Sequence, residues 1–93
     1  MKTRVLFRMF KGEVLALFPA IAATVGKPWL CQSYAHMGQH SGADLAGVMR
    51  SSRPAWPSEY HELHRELLRI GYKLTIAHRT TRADLQAREE QLR

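Results

Sequence analysis

The chain has 93 residues, 45% hydrophobic and 24% charged, and a formal net charge of +6. This length suits one domain with one modest core, and this composition is ordinary for a globular chain, so we do not expect a disordered one. The longest apolar run, residues 14–25, is interrupted by Pro19 and falls short of the roughly 20 residues that a membrane helix needs.

The N-terminal region carries most of the excess positive charge, with five basic residues and one acidic residue among residues 1–30. Because basic and apolar residues alternate there, we expect no signal peptide. A single cysteine, Cys31, permits no internal disulfide and fits a reducing compartment. We therefore expect a soluble cytoplasmic protein whose basic surface attracts nucleic acid, nucleotides, anionic lipid or an acidic protein.

The first predicted element is a β-hairpin. Two stretches rich in β-forming residues, 4–10 and 13–18, flank the dipeptide Lys11-Gly12. Pro19 cannot donate a hydrogen bond to a sheet, so we expect the second strand to end near residue 18. A connector and a third strand are predicted over residues 20–28 and 29–37.

The main helix is predicted after Pro57, a residue that suits the first helical turn. Gly71 supplies a C-terminal stop, and Ser58 is chemically a better N-cap than Trp56. The buried stripe has spacings of three, four and three residues and consists of Tyr60, Leu63, Leu67 and Ile70.

Two further elements follow the helix. Alternating apolar residues predict a fourth strand over residues 72–78. Residues 80–93 have helical propensity and a Thr81 cap but only a weak apolar stripe, so we expect a helical or frayed tail. The predicted class is α+β: a small antiparallel sheet of about four strands in the order β-β-β-α-β, packed by one main helix. Residues 1–79 would form the domain and residues 80–93 its tail.

The stretch "YAHMGQHSGAD", residues 34–44, is the candidate site, because a glycine-containing turn after a strand is a common place for functional residues. One hypothesis is a metal site. His36 and His40 are four residues apart, and Asp44 would add a carboxylate. Gly38 between the two histidines weakens the helical geometry that this spacing requires.

A second hypothesis is an anion-binding loop. Gly38 and Gly42 would let backbone N–H groups approach a ligand, and Ser41 and Asp44 would begin a short helix with its N-terminus towards the anion. The spacing does not match a phosphate-binding P-loop. The proposed ligand-binding residues are His36, Gln39, His40, Ser41, Gly42 and Asp44.

The third hypothesis is a turn without a ligand, in which Ser41 and Asp44 cap a helix and the glycines adopt positive φ. Catalysis has little support elsewhere. Cys31 has no identifiable activating histidine, and His61 and His64 on the main helix are expected to be packed or solvated.

Nucleic-acid binding is predicted from basic residues interleaved with aromatic ones. The same pattern also occurs on strand faces that are basic only for solubility. The candidate nucleic-acid-binding residues are Arg4, Arg8 and Lys11 of the hairpin, with Arg50 and Arg53 near Trp56.

Three stretches, "RVLFRMFKGEVLALFP", "SYAHMGQHSGAD" and "RPAWPSEYHELHRELLRIGYKL", resemble a family of small uncharacterised proteins from phages, plasmids and related mobile elements. The resemblance covers roughly residues 3–76. It implies a bacterial host cell and an accessory role, since such genes often encode small binding proteins that include inhibitors of host defence. It implies no activity and no catalytic residue.

The leading hypothesis is a non-enzymatic accessory protein that binds an anionic ligand, nucleic acid or nucleotide, through residues 36–44 and the basic hairpin. It needs no cofactor. The alternative is a protein–protein inhibitor of host defence of the anti-CRISPR type. A metal-dependent hydrolase around His36 and His40 is a weaker alternative. An exposed edge strand would permit a homodimer.

Overall fold

The computed structural model describes residues 2–24, 26–35 and 39–92, with only the backbone of Gln39. It confirms the α+β class and shows a mainly antiparallel sheet packed with helices. The elements are β1 Thr3–Phe10, β2 Glu13–Ala22, β3 Leu30–Ala35, β4 Gln39–Asp44, α1 Leu45–Arg50, β5 Arg53–Pro54, α2 Pro57–Ile70, β6 Leu74–Ile76 and α3 Arg82–Gln91.

The sheet has six strands rather than about four. Strands β4, β3, β2 and β1 are neighbours in that order, and β4 is an edge strand. The far side of β1 pairs with β5 at Arg8 and Met9 and, in parallel, with β6 at residues 3–5. The two residues of β5 are too few to produce a recognisable alternation in the sequence.

The predicted hairpin is confirmed. In its two-residue turn, Lys11 has φ 51° and Gly12 has φ 81°. Positive φ at both central positions matches the right-handed twist of the flanking strands. The first cross-strand pair after the turn is Phe10 with Glu13.

The prediction that β2 ends near residue 18 is wrong, because β2 continues through Pro19 to Ala22. The pairing of β2 with β3 shifts register between Phe18 and Ala22, and such a bulge accommodates a residue that cannot donate to the ladder. Helix α3 satisfies the backbone groups at this irregularity. The Arg88 guanidinium donates to Pro19 O, and the Gln91 amide bonds Ala20 O and Ala22 N, each at 2.7 Å.

Helices cover both faces of the sheet, whereas the sequence predicted one main helix. On one face, α2 packs Leu63 and Leu67 onto Val5 and Phe7 of β1. The opposite face, which carries Leu6, lies under α1 and α3. The apolar residues buried on this second face are Leu6, Leu17, Cys31, Leu45 and Val48.

The predicted ends of α2 are confirmed at Pro57 and Gly71, whose φ of 120° suits glycine. The prediction that Ser58 is the N-cap of α2 is wrong. Trp56 is the N-cap residue, and its backbone N–H donates to Glu59 Oε1 at 2.7 Å. Glu59, at the third helical position, thus satisfies the backbone N–H of the N-cap residue.

The C-terminal segment is a helix, α3, and Thr81 is its N-cap as predicted. The Thr81 hydroxyl accepts from Asp84 N at 3.2 Å, and Asp84 Oδ2 accepts from Thr81 N at 2.9 Å. Within the described part of the chain, none of the helices is long and apolar enough to cross a membrane.

Candidate functional site

Most of the stretch predicted to be a functional loop is a β-strand. His36 lies outside the described residues, and residues 39–44 form β4, paired antiparallel with β3. Gly42 has no positive φ, contrary to the turn hypothesis. A Cβ at Gly42 would lie 3.2 Å from Ala23 Cβ, so this glycine permits a close approach.

His40 contacts aromatic residues on the α2 face of the sheet. Its Nε2 lies 3.0 Å from Tyr72 Oη, and its ring meets the Tyr34 ring edge-on at a centroid distance of 4.7 Å. Burial raises the pKa of the Tyr72 phenol, so the phenol is neutral at pH 7. His40 therefore belongs to an aromatic cluster at the sheet edge.

Ser41 and Asp44 have local structural contacts. The Ser33 hydroxyl donates to Ser41 O at 2.9 Å. Asp44 is the N-cap of α1, and its Oδ1 accepts from Gly47 N at 3.2 Å. The predicted capping role of Asp44 is thus present, and its carboxylate faces the first turn of α1. The side chain of Gln39 lies outside the described set.

The two predicted hairpin arginines do not form an exposed stripe. Arg8 is 8% exposed, and its guanidinium donates to Ser52 Oγ at 2.9 Å and to Ser52 O at 2.8 Å. Arg4 pairs with Asp84 of α3. Both side chains lie under the second helical layer, which the sequence pattern did not reveal. Burial also lowers the pKa of Arg8.

The other predicted basic residues, Lys11, Arg50 and Arg53, lie on the surface. Lys11 Nζ lies 5.2 Å from the centroid of the Phe10 ring. Arg53 forms two hydrogen bonds with Glu59, at 2.8 and 2.6 Å, and is therefore neutralised. Arg50, in the last turn of α1, is exposed.

The structure shows a groove that the sequence did not indicate. It lies between α1 and the start of α3, on the second face of the sheet, with a volume of about 490 Å³. That volume falls within the usual range for small-ligand sites. Its lining residues are Trp29, Leu45, Ala46, Met49, Arg79, Thr80, Thr81, Arg82, Leu85 and Arg88.

Trp29 and Leu85 give the groove exposed apolar surface. Trp29 is 55% exposed and Leu85 is 40% exposed. The backbone of Trp29 is held in place, because its carbonyl accepts from Leu45 N at 3.4 Å and Arg88 Nε donates to Pro28 O at 3.0 Å. The indole is thus an exposed ring on a fixed support.

Arg79 and Arg82 supply positive charge to the groove. Both side chains are exposed, and no acceptor among the described residues bonds either guanidinium. Asp84, the nearest carboxylate along the chain, is 2% exposed and is bonded by Arg4 and Thr81. No aspartate or glutamate belongs to the described lining. The groove therefore combines unneutralised cations with an aromatic face.

These groove residues were missed because they come from three distant segments. The sequence pattern places Trp29 in a strand, Arg79 at the end of the domain and residues 80–82 in the tail. One signal in the sequence was the pair of arginines, Arg79 and Arg82, that flanks Thr80 and Thr81. The N-terminal end of a helix carries partial positive charge and disfavours cations, so arginines there are unusual for stability alone.

Metal binding and thiol chemistry gain no support from the described residues. Within residues 2–24, 26–35 and 39–92, no three His, Cys, Asp or Glu side chains lie close enough together to hold a metal ion. Cys31 is buried, and burial raises the pKa of its thiol to about 11. A thiol with such a pKa is protonated at pH 7 and is a poor nucleophile.

Comparison with protein-family models, with curated proteins and with solved structures finds no match to this chain.

Proposed function

We propose that this chain is a non-enzymatic protein that binds an anionic ligand carrying a planar ring, as nucleotides and nucleic acids do. The ligand lies in the groove between α1 and α3. One observation carries the proposal: the half-exposed indole of Trp29 lies in the same groove as the unpaired guanidinium groups of Arg79 and Arg82.

The chemistry of the lining supports this ligand class. A tryptophan face stacks on heterocyclic bases, and arginine binds phosphate through planar paired N–H groups. The lining has no carboxylate among the described residues, so none of its described side chains repels an anion. Its described residues also include no histidine, so they offer contacts for binding rather than a general base.

The proposed position differs from the one predicted from the sequence, residues 36–44 with the basic hairpin. Arg4 and Arg8 bond other parts of the chain, and Asp44 caps α1. The charge on the groove comes instead from Arg79 and Arg82. An accessory role in a mobile element is a further part of the proposal and rests on the sequence resemblance alone.

The test is an equilibrium titration at low salt with ATP and with mixed-sequence oligonucleotides. We expect Trp29→Ala, and the double variant Arg79→Gln with Arg82→Gln, each to weaken binding by roughly tenfold or more.

The matched control is the double variant Arg65→Gln with Arg69→Gln, which removes two exposed charges from α2 on the opposite face. It should change affinity by less than about twofold, and so should His40→Ala. If no anion binds, or if the α2 control weakens binding as much as the groove variants, the proposal is wrong.

A second candidate, a protein-binding inhibitor of host defence, draws support from Trp56. This side chain is 66% exposed at the start of α2, and exposed tryptophans are frequent anchors of protein interfaces. A host protein that co-purifies after nuclease treatment, and is lost with Trp56→Ala but not with Trp29→Ala, would support this candidate.

A further inference from the structure

We infer that the ligand of the groove is single-stranded nucleic acid and not a free nucleotide or a duplex. This inference rests on the proposed function and specifies its ligand. It depends on three features of the groove: the distribution of its cations, the absence of carboxylates from its described lining and the exposure of one indole.

The three chain segments that form the groove all carry cations, of which Arg79, Arg82 and the buried Arg88 belong to its described lining. Arg79 and Arg82 lie at its α3 side. On α1, Ala46 lines the groove, and Arg50 is its neighbour one helical turn later. Lys27 belongs to the turn that carries Trp29, in which Leu30 N donates to Lys27 O at 3.1 Å.

This distribution fits a chain of phosphates better than a single phosphate group. A mononucleotide concentrates its negative charge at one end and would use the cations at one side. A nucleic-acid strand carries one charge per nucleotide and would pass from Arg50 on α1 to Arg82 on α3. Positively charged grooves that follow the backbone are typical of single-strand binding.

The lining also argues against a nucleoside triphosphate. Triphosphates are bound together with Mg²⁺, which proteins hold through one or two carboxylates. The described lining offers none, and the carboxylate of Asp84, two positions after Arg82, is already bonded by Arg4 and Thr81. A phosphodiester backbone needs no such metal, because guanidinium groups neutralise it directly.

Trp29 distinguishes a single strand from a duplex. In a duplex the faces of the bases stack on one another and are hidden, whereas unpaired bases can stack on an aromatic side chain. Trp29 is 55% exposed, and Leu85, which also lines the groove, is 40% exposed. Their apolar surface would gain no contact from the charged backbone of a duplex, whereas it can pack on the face of an unpaired base.

The experiment uses the full chain with Trp56→Phe, because the chain has two tryptophans and this change leaves Trp29 as the only indole reporter. Probes are a fluorescent single strand of about ten nucleotides, a hairpin duplex of equal charge, AMP, ATP with Mg²⁺ and inorganic phosphate. We expect the single strand to bind at least about tenfold more tightly than any other probe and to quench Trp29 fluorescence.

Two variants complete the test. Trp29→Ala should weaken single-strand binding by roughly tenfold, while Trp56→Ala should leave it within about twofold. Arg82→Gln should reduce the slope of log affinity against log salt by about 0.7, the value for one phosphate contact with a single strand.

The outcomes separate this inference from the proposed function. If AMP, ATP or the duplex binds as tightly as the single strand, the single-strand inference is wrong and the anion-binding proposal survives. If none of the probes binds, both are wrong. Circular dichroism of every variant would check that it is folded.

Discussion

Arg4 and Asp84, 80 positions apart, form a two-point ion pair between β1 and α3. Arg4 Nε lies 2.9 Å from Asp84 Oδ1, and Arg4 Nη2 lies 3.2 Å from Asp84 Oδ2. The same Nη2 donates to Arg79 O at 2.8 Å. Arg4 therefore holds the segment that carries both groove arginines, Arg79 and Arg82, although its own side chain does not line the groove.

Asp84→Asn tests this pair. The Asp84 carboxylate is 2% exposed, whereas the Arg4 side chain is 33% exposed. Removing one partner of a buried pair costs several kcal/mol, but solvent screens a partly exposed arginine, so we expect a loss of about 2 kcal/mol in the free energy of unfolding. Urea denaturation measures the loss, and hydrogen exchange should show it in α3 before α2.

Glu89→Gln is the matched control for Asp84→Asn, because Glu89 is an exposed acidic residue of the same helix. We expect its free energy of unfolding, measured by urea denaturation, to lie within about 0.5 kcal/mol of that of the unmodified chain. Equal midpoints for Asp84→Asn and Glu89→Gln would show that the ion pair contributes no net stability.

Arg88→Met tests how α3 supports the irregular end of β2. Arg88 is 6% exposed and donates to Pro19 O and Pro28 O. Methionine preserves the length of the side chain but leaves both carbonyls without this donor, so we expect a loss of about 2–3 kcal/mol. Arg82→Met, at an exposed position of the same helix, should change stability by less than about 0.5 kcal/mol. A small effect of Arg88→Met would mean that water replaces the guanidinium.

Elements with strong local signals were predictable. The hairpin followed from the Lys11-Gly12 turn, and α2 followed from Pro57, a periodic apolar stripe and Gly71. The Thr81 cap of α3 has the same origin. In each case the residues that determine the conformation lie within a few positions of one another, where turn chemistry and capping act.

The second helical layer was not predictable in this way. Helix α3 has a weak apolar stripe because buried polar residues, Asp84 and Arg88, hold it on the sheet. Their partners, Arg4 and Pro19, are far away in sequence. Without this layer, the alternation in β1 predicts that Arg4 and Arg8 face solvent.

The edge strand β4 and the groove were missed for related reasons. The segment 39–44 is polar and contains Gly42, a composition typical of turns, and only its pairing with β3 makes it a strand. The groove joins Trp29, α1 and residues 79–85. No local spacing connects these three segments, so only the tertiary structure brings the cations to the indole.

Cys31 provides a test of the packing on the second face of the sheet, where it is buried. Burial raises the pKa of its thiol from 9.0 to about 11. The thiolate fraction at pH 8 is then about a hundredfold lower than in the unfolded chain, and burial blocks access as well. We expect alkylation of the native protein to be at least about a hundredfold slower than alkylation in urea. A native rate close to the unfolded rate would show that α1 and α3 do not cover Cys31.

The same pKa shift predicts a change in stability at alkaline pH. Between pH 9 and about 11 the unfolded chain loses the thiol proton while the folded chain keeps it. Stability from this group is therefore complete below pH 9 and falls as the pH rises towards 11. In Cys31→Ala that part of the decline should be absent, which urea midpoints measured across this range would reveal.

The ion pair of Glu59 should make the free energy of unfolding depend on pH between about pH 4.5 and pH 2. The side-chain hydrogen bonds from Arg53, followed by the backbone N–H of Trp56, lower the pKa of Glu59 from 4.5 to about 2. Because the folded pKa is the lower one, the stabilisation is present above about pH 4.5 and is lost as the pH falls towards 2. The urea midpoint of Glu59→Gln should therefore lie below that of the unmodified chain at pH 6 and approach it near pH 2.

Glu62→Gln, at an exposed position of α2, should show no such convergence. A midpoint difference for Glu59→Gln that stays constant from pH 6 to pH 2 would contradict the assignment of this ion pair.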